Sequence, residues 1–196
     1  MKPHDLPRTV AEPSRELSRY PEAPQVRPLA DILPDDPLLM MGAGPVPIPD
    51  AVARANSVVI NHLGATMSTI ISQVKEMARY VFQTRSDWVL GVAGPGSAAM
   101  EMAVCNLVEP GARVLCVRNG FFSGRMGEMA RRLGAEVVDF DVPANTAACA
   151  ADIERALDQH RPRCLTIVQG ETSNTVFNRE LPAIARAPKA RGCLVI

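Results

Sequence analysis

Short apolar runs alternate with segments of helical spacing along most of this chain. Residues 66–84 carry apolar side chains at every third or fourth position, which is the spacing of an amphipathic helix. Further apolar runs predict strands at 88–93, 113–117, 136–140, 164–168 and 193–196, and the segments between them predict helices at 97–108, 123–133, 150–160 and 180–187. Because each strand is almost continuously apolar, the pattern predicts an α/β fold: a mainly parallel sheet with helices on both faces.

The N-terminal region differs from the rest of the chain in composition. Eight of the 17 prolines lie in the first 37 residues, where they interrupt every potential helix. Residues 1–37 are therefore predicted to form an extended or disordered arm, and the alternative is an arm that wraps a partner subunit. The predicted domain covers 38–196.

Composition narrows the function classes. The 196 residues include 21 basic and 21 acidic side chains, so the neutral chain offers no electrostatic basis for binding nucleic acid or an anionic membrane. No apolar stretch reaches the roughly 18 residues of a membrane span, and a cytoplasmic location is expected. The five cysteines are odd in number and lack C-x-x-C spacing, which favours reduced thiols over disulfides or a metal site.

In a parallel sheet, ligands bind beyond the carboxyl ends of the strands, and the first loop there is 93–101. Gly94 and Gly96 allow a ligand to approach the backbone, and Ser97 at a helix start offers a hydroxyl and an N–H to an anion. The loop is a candidate phosphate site, although no Gly-Lys-Ser/Thr sequence follows. The alternative is a turn that merely lets the helix pack closely on the sheet.

The same loop also fits a relaxed dinucleotide fingerprint, Gly94-x-Gly96-x-x-Ala99. An acidic residue that would hold the ribose of NAD is missing from the end of the next strand, where Arg118 and Asn119 stand instead. Arg118 is a candidate for the extra phosphate of NADP, so an NADP-dependent oxidoreductase remains an alternative.

Two further loops carry candidate groups. In 118–125, Phe122 is interpreted as a flat face for an aromatic cofactor and Phe121 as a core residue. The loop 169–175 concentrates hydroxyl, amide and carboxyl groups, which alone is a weak signal. His62 is expected in a solvated loop, and Cys105 is expected in the core.

Taken in order, these loops resemble the front half of the large domain of a fold-type-I pyridoxal-phosphate (PLP) enzyme. They are most similar to class V aminotransferases of the alanine–glyoxylate and serine–glyoxylate kind. The resemblance covers about 38–196, and its matching segments are 42–47, 80–85, 94–101, 119–125 and 170–173.

The resemblance implies roles for individual residues. Gly96 and Ser97 would hold the cofactor phosphate, and Phe122 would stack on the pyridine ring. Thr172 would lie near the phenolic oxygen of the ring, and Gly44 would border the substrate.

Two departures from the family pattern stand out. Pro95 occupies a cradle position where the family often has a serine, and proline has no N–H to donate. The chain has lysines only at Lys2, Lys75 and Lys189, none in a loop suited to the Schiff-base lysine. That lysine, and the acid that pairs with the ring nitrogen, are expected beyond Ile196 in a chain that is predicted to be truncated.

The implied activity is transfer of an amino group from an amino acid to a 2-oxo acid such as glyoxylate or pyruvate, by a homodimer when full length. The fragment alone is expected to be inactive. Besides the NADP alternative, a non-catalytic transaminase-like interaction module remains open.

Overall fold

The computed structural model describes residues 24–36, 39–40, 42 and 44–196. The chain divides into two compact units, 1–50 and 51–196. In the first unit, a 3-10 turn at Leu29–Asp31 is flanked by exposed irregular backbone. Residues 1–23 and residue 37 of the predicted arm lie outside the described residues.

The second unit holds nearly all the regular structure. Its helices, the first of which begins at the unit boundary, are α1 (Asp50–Asn56), α2 (Ala65–Phe82), α3 (Gly96–Leu107), α4 (Phe121–Arg132), α5 (Ala150–His160) and α6 (Leu181–Ala190). Its strands are β1 (Arg113–Arg118), β2 (Glu136–Asp141), β3 (Cys164–Thr166), β4 (Gly170–Glu171), β5 (Val176–Phe177) and β6 (Leu194–Val195).

Four of these strands form a parallel sheet in the order β2-β1-β3-β6. Val114 of β1 stands level with Val137 of β2 on one side and with Cys164 of β3 on the other. The predicted parallel α/β architecture is confirmed. Because all four strands run the same way, their carboxyl ends meet at one edge, where the candidate loops emerge.

Neighbouring residues of one strand pack into different cores. Val114 belongs to a cluster with Val104 of α3 and Met126 of α4, whereas the next residue, Leu115, packs with residues of α5 and α6. This alternation follows from the two-residue repeat of the pleat, which points successive side chains to opposite faces. Helices therefore cover both faces of the sheet, as the apolar strands predicted.

Two segments depart from the sequence-based expectations. The predicted strand at 88–93 is wrong, because the segment is irregular and its Trp88 is 84% exposed. An apolar run becomes a strand only when a neighbouring strand completes its hydrogen bonds, and no described strand pairs with this one. The helix predicted at 66–84 is confirmed as α2, although Val74 and Phe82 on it are exposed.

None of the helices suits a membrane span. Within the described part of the chain, no helix is both long and apolar enough to cross a bilayer.

Candidate cofactor site

A pocket of about 460 Å³ opens at the carboxyl edge of the parallel sheet. It is lined by residues from the first turns of α3 and α4 and from the segment that follows β3: Gly96, Ser97, Met100, Phe122, Met126, Ile167, Val168, Gly170 and Thr172. Four of the five residues predicted to bind a cofactor are among them. The fifth, Pro95, directly precedes the first lining residue.

The first wall is the N-terminus of α3. Pro95 is extended and forms the N-cap, and its carbonyl accepts a hydrogen bond of 2.8 Å from the N–H of Ala98. Among the described residues, none accepts a hydrogen bond from the N–H of Gly96 or Ser97. These donors, with the positive end of the helix dipole, suit an anionic group.

The second wall comes from the start of α4. Phe122 is half-buried and faces the pocket, whereas Phe121 is 62% exposed, so the core interpretation of Phe121 is wrong. The two rings meet edge to face with centroids 5.3 Å apart, and the Arg125 guanidinium lies 5.8 Å from the centre of the Phe121 ring. A cation and a second ring therefore provide contacts for Phe121 at the surface in place of burial.

The third wall is the loop after β3, where Thr172 lines the pocket and its neighbour Glu171 is fully buried. The Glu171 carboxylate accepts hydrogen bonds from the backbone N–H of Phe122 at 3.2 Å and of Ser123 at 2.8 Å. The hydroxyl of Ser173 donates to the same carboxylate at 2.6 Å. Glu171 thus caps α4 from a loop almost fifty residues further along the chain.

The charge state of Glu171 follows from these contacts. Burial raises the pKa of the carboxyl, but hydrogen bonds from Ser173, Ser123 and Phe122 outweigh burial and lower its pKa below the ordinary value of 4.5. The carboxylate is therefore ionised at neutral pH, at the positive end of α4.

Sequence reasoning missed this cap. The sequence presents the carboxylate only as one polar group in a polar loop, because a cap from a distant loop leaves no local spacing such as Ser-x-x-Glu. The available signal was Gly120, which directly precedes α4 and leaves the space that Glu171 fills.

A second buried group connects the same loops. The Asn178 side-chain oxygen accepts hydrogen bonds from Ala148 N–H at 2.8 Å and from the Asn119 amide at 3.3 Å, and its amide donates to Val168 C=O at 2.6 Å. Asn178 therefore joins the ends of β1 and β3 and the segment before α5. These contacts link the segment that follows β1 to the segment that follows β3.

The structure argues against Arg118 as a site for the phosphate of NADP. Its guanidinium forms ion pairs with Asp139 at 3.0 Å and with Asp141 at 2.8 Å. Because two carboxylates already neutralise this cation and would repel a phosphate, the NADP alternative is not supported. A dinucleotide-binding function is also not favoured by the relatives described below.

The remaining candidates are not among the residues that line the pocket. Gly44 belongs to the first unit, and His62 is exposed in the turn between α1 and α2. Cys105 is exposed, so its expected place in the core is wrong: it faces away from the side of α3 that buries Val104.

The described lysines are also absent from the pocket lining. Lys75 lies on α2 and Lys189 in the last turn of α6, and neither lines the pocket. Lys2 lies outside the described residues.

Comparison with known proteins adds a direct test of the family. No family model matches the chain. Over 158 residues the chain is 34% identical to alanine–glyoxylate aminotransferase of Drosophila melanogaster, a match that covers 80% of this chain and 40% of that protein. It is 37% identical over 139 residues to the enzyme of that name from Mus musculus, which covers 70% of this chain and 34% of the relative.

Solved structures agree with the sequence relatives. Ureidoglycine–glyoxylate aminotransferase from Bacillus subtilis has a TM-score of 0.75 and 29% identity, over 79% of this chain and 40% of that one. Alanine–glyoxylate aminotransferase from Nostoc sp. has a TM-score of 0.75 and 30% identity, over 87% of this chain and 47% of that one. The chain spans between about a third and two fifths of the length of the curated relatives it matches. By sequence and by fold, this chain belongs to the class V aminotransferases, the fold-type-I PLP enzymes related to alanine–glyoxylate aminotransferase.

Proposed function

We propose that this chain binds PLP in the pocket described above, as the cofactor-binding portion of an aminotransferase. The proposed reaction transfers an amino group from an amino acid to a 2-oxo acid such as glyoxylate or pyruvate. The observation that carries the proposal is the convergence of Gly96, Ser97, Phe122 and Thr172, from three separate segments of the chain, on one pocket.

The donor set suits the phosphate of PLP. The N–H groups of Gly96 and Ser97 and the Ser97 hydroxyl stand at the start of a helix, where the dipole favours an anion. Pro95 contributes no donor, so phosphate affinity depends on the two residues that follow it.

The other walls suit the ring. Phe122 supplies an aromatic face, and the Thr172 hydroxyl is proposed to bond to the phenolic oxygen. Met100, Met126 and Val168 add apolar side chains to the pocket lining, which suits an aromatic ring. When bound, PLP supplies a carbonyl that takes up the amino group and a conjugated ring that accepts electrons.

Neither described lysine lines the pocket, so the residues of the pocket fit PLP that is bound without a covalent bond. The Schiff-base lysine and the acid that pairs with the ring nitrogen are therefore proposed to come from a part of the enzyme outside residues 1–196. The proposal also includes Gly44 at the border of the substrate site, a homodimeric whole enzyme and a cytoplasmic location.

Equilibrium dialysis of the 196-residue chain with PLP and with pyridoxal tests the proposal. Because pyridoxal lacks the phosphate, we expect it to bind at least about tenfold more weakly than PLP. Ser97→Ala should weaken PLP several-fold and leave pyridoxal unchanged, because the variant removes only a phosphate donor. Ser57→Ala, whose hydroxyl bonds to Arg54 C=O on the surface, is the matched control. Absence of PLP binding, or equal affinity for PLP and pyridoxal, would contradict the proposal.

A further inference from the structure

We propose that Glu171 is a positioning residue that holds the aromatic wall of the pocket, through Phe122, at a fixed place relative to Thr172. The inference rests on the proposed function, because it assigns a purpose in PLP binding to a side chain that does not line the pocket. Its carboxylate is not part of the pocket lining. It acts through the backbone N–H groups of Phe122 and Ser123, from which it accepts hydrogen bonds.

The hydrogen bonds at the start of α4 support this role. The segment 171–173 accepts hydrogen bonds from the first three N–H groups of the helix. The Ser173 hydroxyl accepts one from Phe121 N–H at 3.0 Å. The Glu171 carboxylate accepts the other two, from Phe122 and Ser123. The fourth, Gly124 N–H, reaches Gly120 C=O at 3.2 Å within the helix. The loop that carries Thr172 therefore satisfies the three N–H groups of the helix that lack an intrahelical partner, and the N–H of the N-cap Gly120 donates to the Ser123 hydroxyl at 2.9 Å.

The loop itself is held firmly. Glu171 pairs with Val176 and Gly170 with Phe177 in the antiparallel β4–β5 ribbon. Asn178 N–H donates to Gln169 C=O at 2.8 Å. Because Glu171 belongs to this ribbon, the ribbon sets the position of its backbone. The carboxylate in turn sets the position of the start of α4.

Charge makes the contact strong. A carboxylate that is fully buried loses its hydration and is tolerated only when several donors replace the water. Here the donors are two backbone N–H groups of α4 and the hydroxyl and N–H of Ser173. Charge-assisted hydrogen bonds of this kind restrict geometry more tightly than neutral ones, so the Phe122 backbone has little freedom beside the pocket.

The test compares Glu171→Gln with the wild-type chain by amide hydrogen exchange and by PLP dialysis. The amide replaces an acceptor oxygen with a donor that faces backbone N–H groups, so exchange at Phe122 and Ser123 should accelerate at least about tenfold. PLP affinity should fall about tenfold, with exchange in α5 and α6 unchanged. Glu180→Gln is the matched control, because Glu180 caps α5 through Ala150 N–H at 2.8 Å and α5 lines no part of the pocket.

Ser173→Ala provides a milder variant that keeps the carboxylate. It removes one donor to Glu171 and the acceptor of Phe121 N–H, so we expect smaller changes in the same two measurements. If Glu171→Gln unfolds the chain, this variant decides the outcome.

Three outcomes are distinguishable. Unchanged exchange at Phe122 and Ser123 would overturn the inference whatever the PLP result. Faster exchange with unchanged PLP affinity would also overturn it, since the cap would then be structural only. If the wild-type chain binds no PLP, the proposed function fails, and so does the role in PLP binding that the inference assigns to Glu171. The exchange data still show whether Glu171 holds the start of α4.

Discussion

The Cγ atom of Glu171 lies 2.3 Å from the position that a Cβ on Gly120 would occupy. No side chain fits at that distance, so the buried carboxylate and the absence of a side chain at residue 120 depend on each other. The φ of Gly120 is 176°, which any residue adopts, and glycine is therefore required here for space.

We predict that Gly120→Ala destabilises the chain by roughly 1–3 kcal/mol and weakens PLP binding, because Glu171 must leave its hydrogen bonds to make room. Urea unfolding and equilibrium dialysis measure the two effects. Gly124→Ala in the same helix is the control, since nothing lies within 4 Å of its added Cβ. It should stabilise the helix by about 0.5–1 kcal/mol. A neutral Gly120→Ala would contradict the packing argument.

Removal of the aromatic wall should affect binding more than folding. Phe122→Ala is expected to weaken PLP binding by about tenfold, because stacking and apolar burial of the ring are lost. Dialysis gives the affinity, and a thermal melt verifies that the variant is folded. Phe82→Ala at the exposed end of α2 should leave the affinity unchanged. Unchanged retention of PLP in Phe122→Ala would defeat the stacking role.

The stability of the chain should depend on pH through Glu171. Its pKa in the folded chain lies below 4.5, so its contribution is complete at neutral pH. The contribution is lost as the pH falls from about 4.5 through the lowered value. Burial raises the pKa of this carboxyl, and the hydrogen bonds from Ser173, Ser123 and Phe122 together outweigh burial and lower it.

We therefore expect Glu171→Gln to be less stable than wild type at pH 7, and the difference to shrink in acid. Urea unfolding at pH 7 and at pH values below 4.5 measures it. Asn106→Ala, which removes a surface hydrogen bond to Met102 C=O and no titrating group, should change stability equally at both pH values. A difference for Glu171→Gln that does not depend on pH would contradict the assigned charge.

The cysteines should fall into two reactivity classes. Cys105 and Cys149 are exposed, whereas Cys116, Cys164 and Cys193 are buried. Burial, with a smaller contribution from the charge of Cys193, raises the pKa of the Cys164 thiol to about 12. At pH 8 such a thiol is ionised in about one molecule in ten thousand.

Burial also raises the pKa of the other two buried thiols, Cys116 and Cys193. We predict that Ellman's reagent at pH 8 titrates two thiols in the native chain and five in urea. Rapid reaction of three or more native thiols would show that the core around β1, β3 and β6 is open.

Borohydride reduction tests the absence of a lysine in the pocket. After incubation with PLP and borohydride, intact mass spectrometry should show no stoichiometric adduct on Lys75 or Lys189, because neither residue lines the pocket. Replacement of each by arginine identifies any adduct that forms. Stoichiometric trapping on either residue would contradict the described pocket.

Local patterns determined much of the fold. The helix predicted at 150–160 has those bounds in α5, because its apolar spacing and its flanking turns are encoded nearby. The loops after β1 and β3 were also located correctly, since a parallel sheet brings the carboxyl ends of its strands together. The pocket residues followed from that placement and from the family resemblance.

Contacts between distant residues account for what the sequence did not reveal. Glu171 caps α4 across almost fifty residues, and no spacing rule reports such a contact. Phe121 is held at the surface by Arg125 and by a second ring, so hydrophobicity alone misplaced it. The segment 88–93 has the composition of a strand, but strand formation depends on a partner that its own sequence does not specify.

The walls of the pocket are far apart in the order of synthesis. Ser97 leaves the ribosome early, whereas Thr172 and the carboxylate that caps α4 emerge only after β1, α4, β2, α5 and β3 have been made. A nascent chain therefore passes through a long stage in which the first turn of α4 has no acceptor for its N–H groups. During that stage the growing polypeptide has no complete pocket, so PLP can stabilise the fold only after Thr172 has been made.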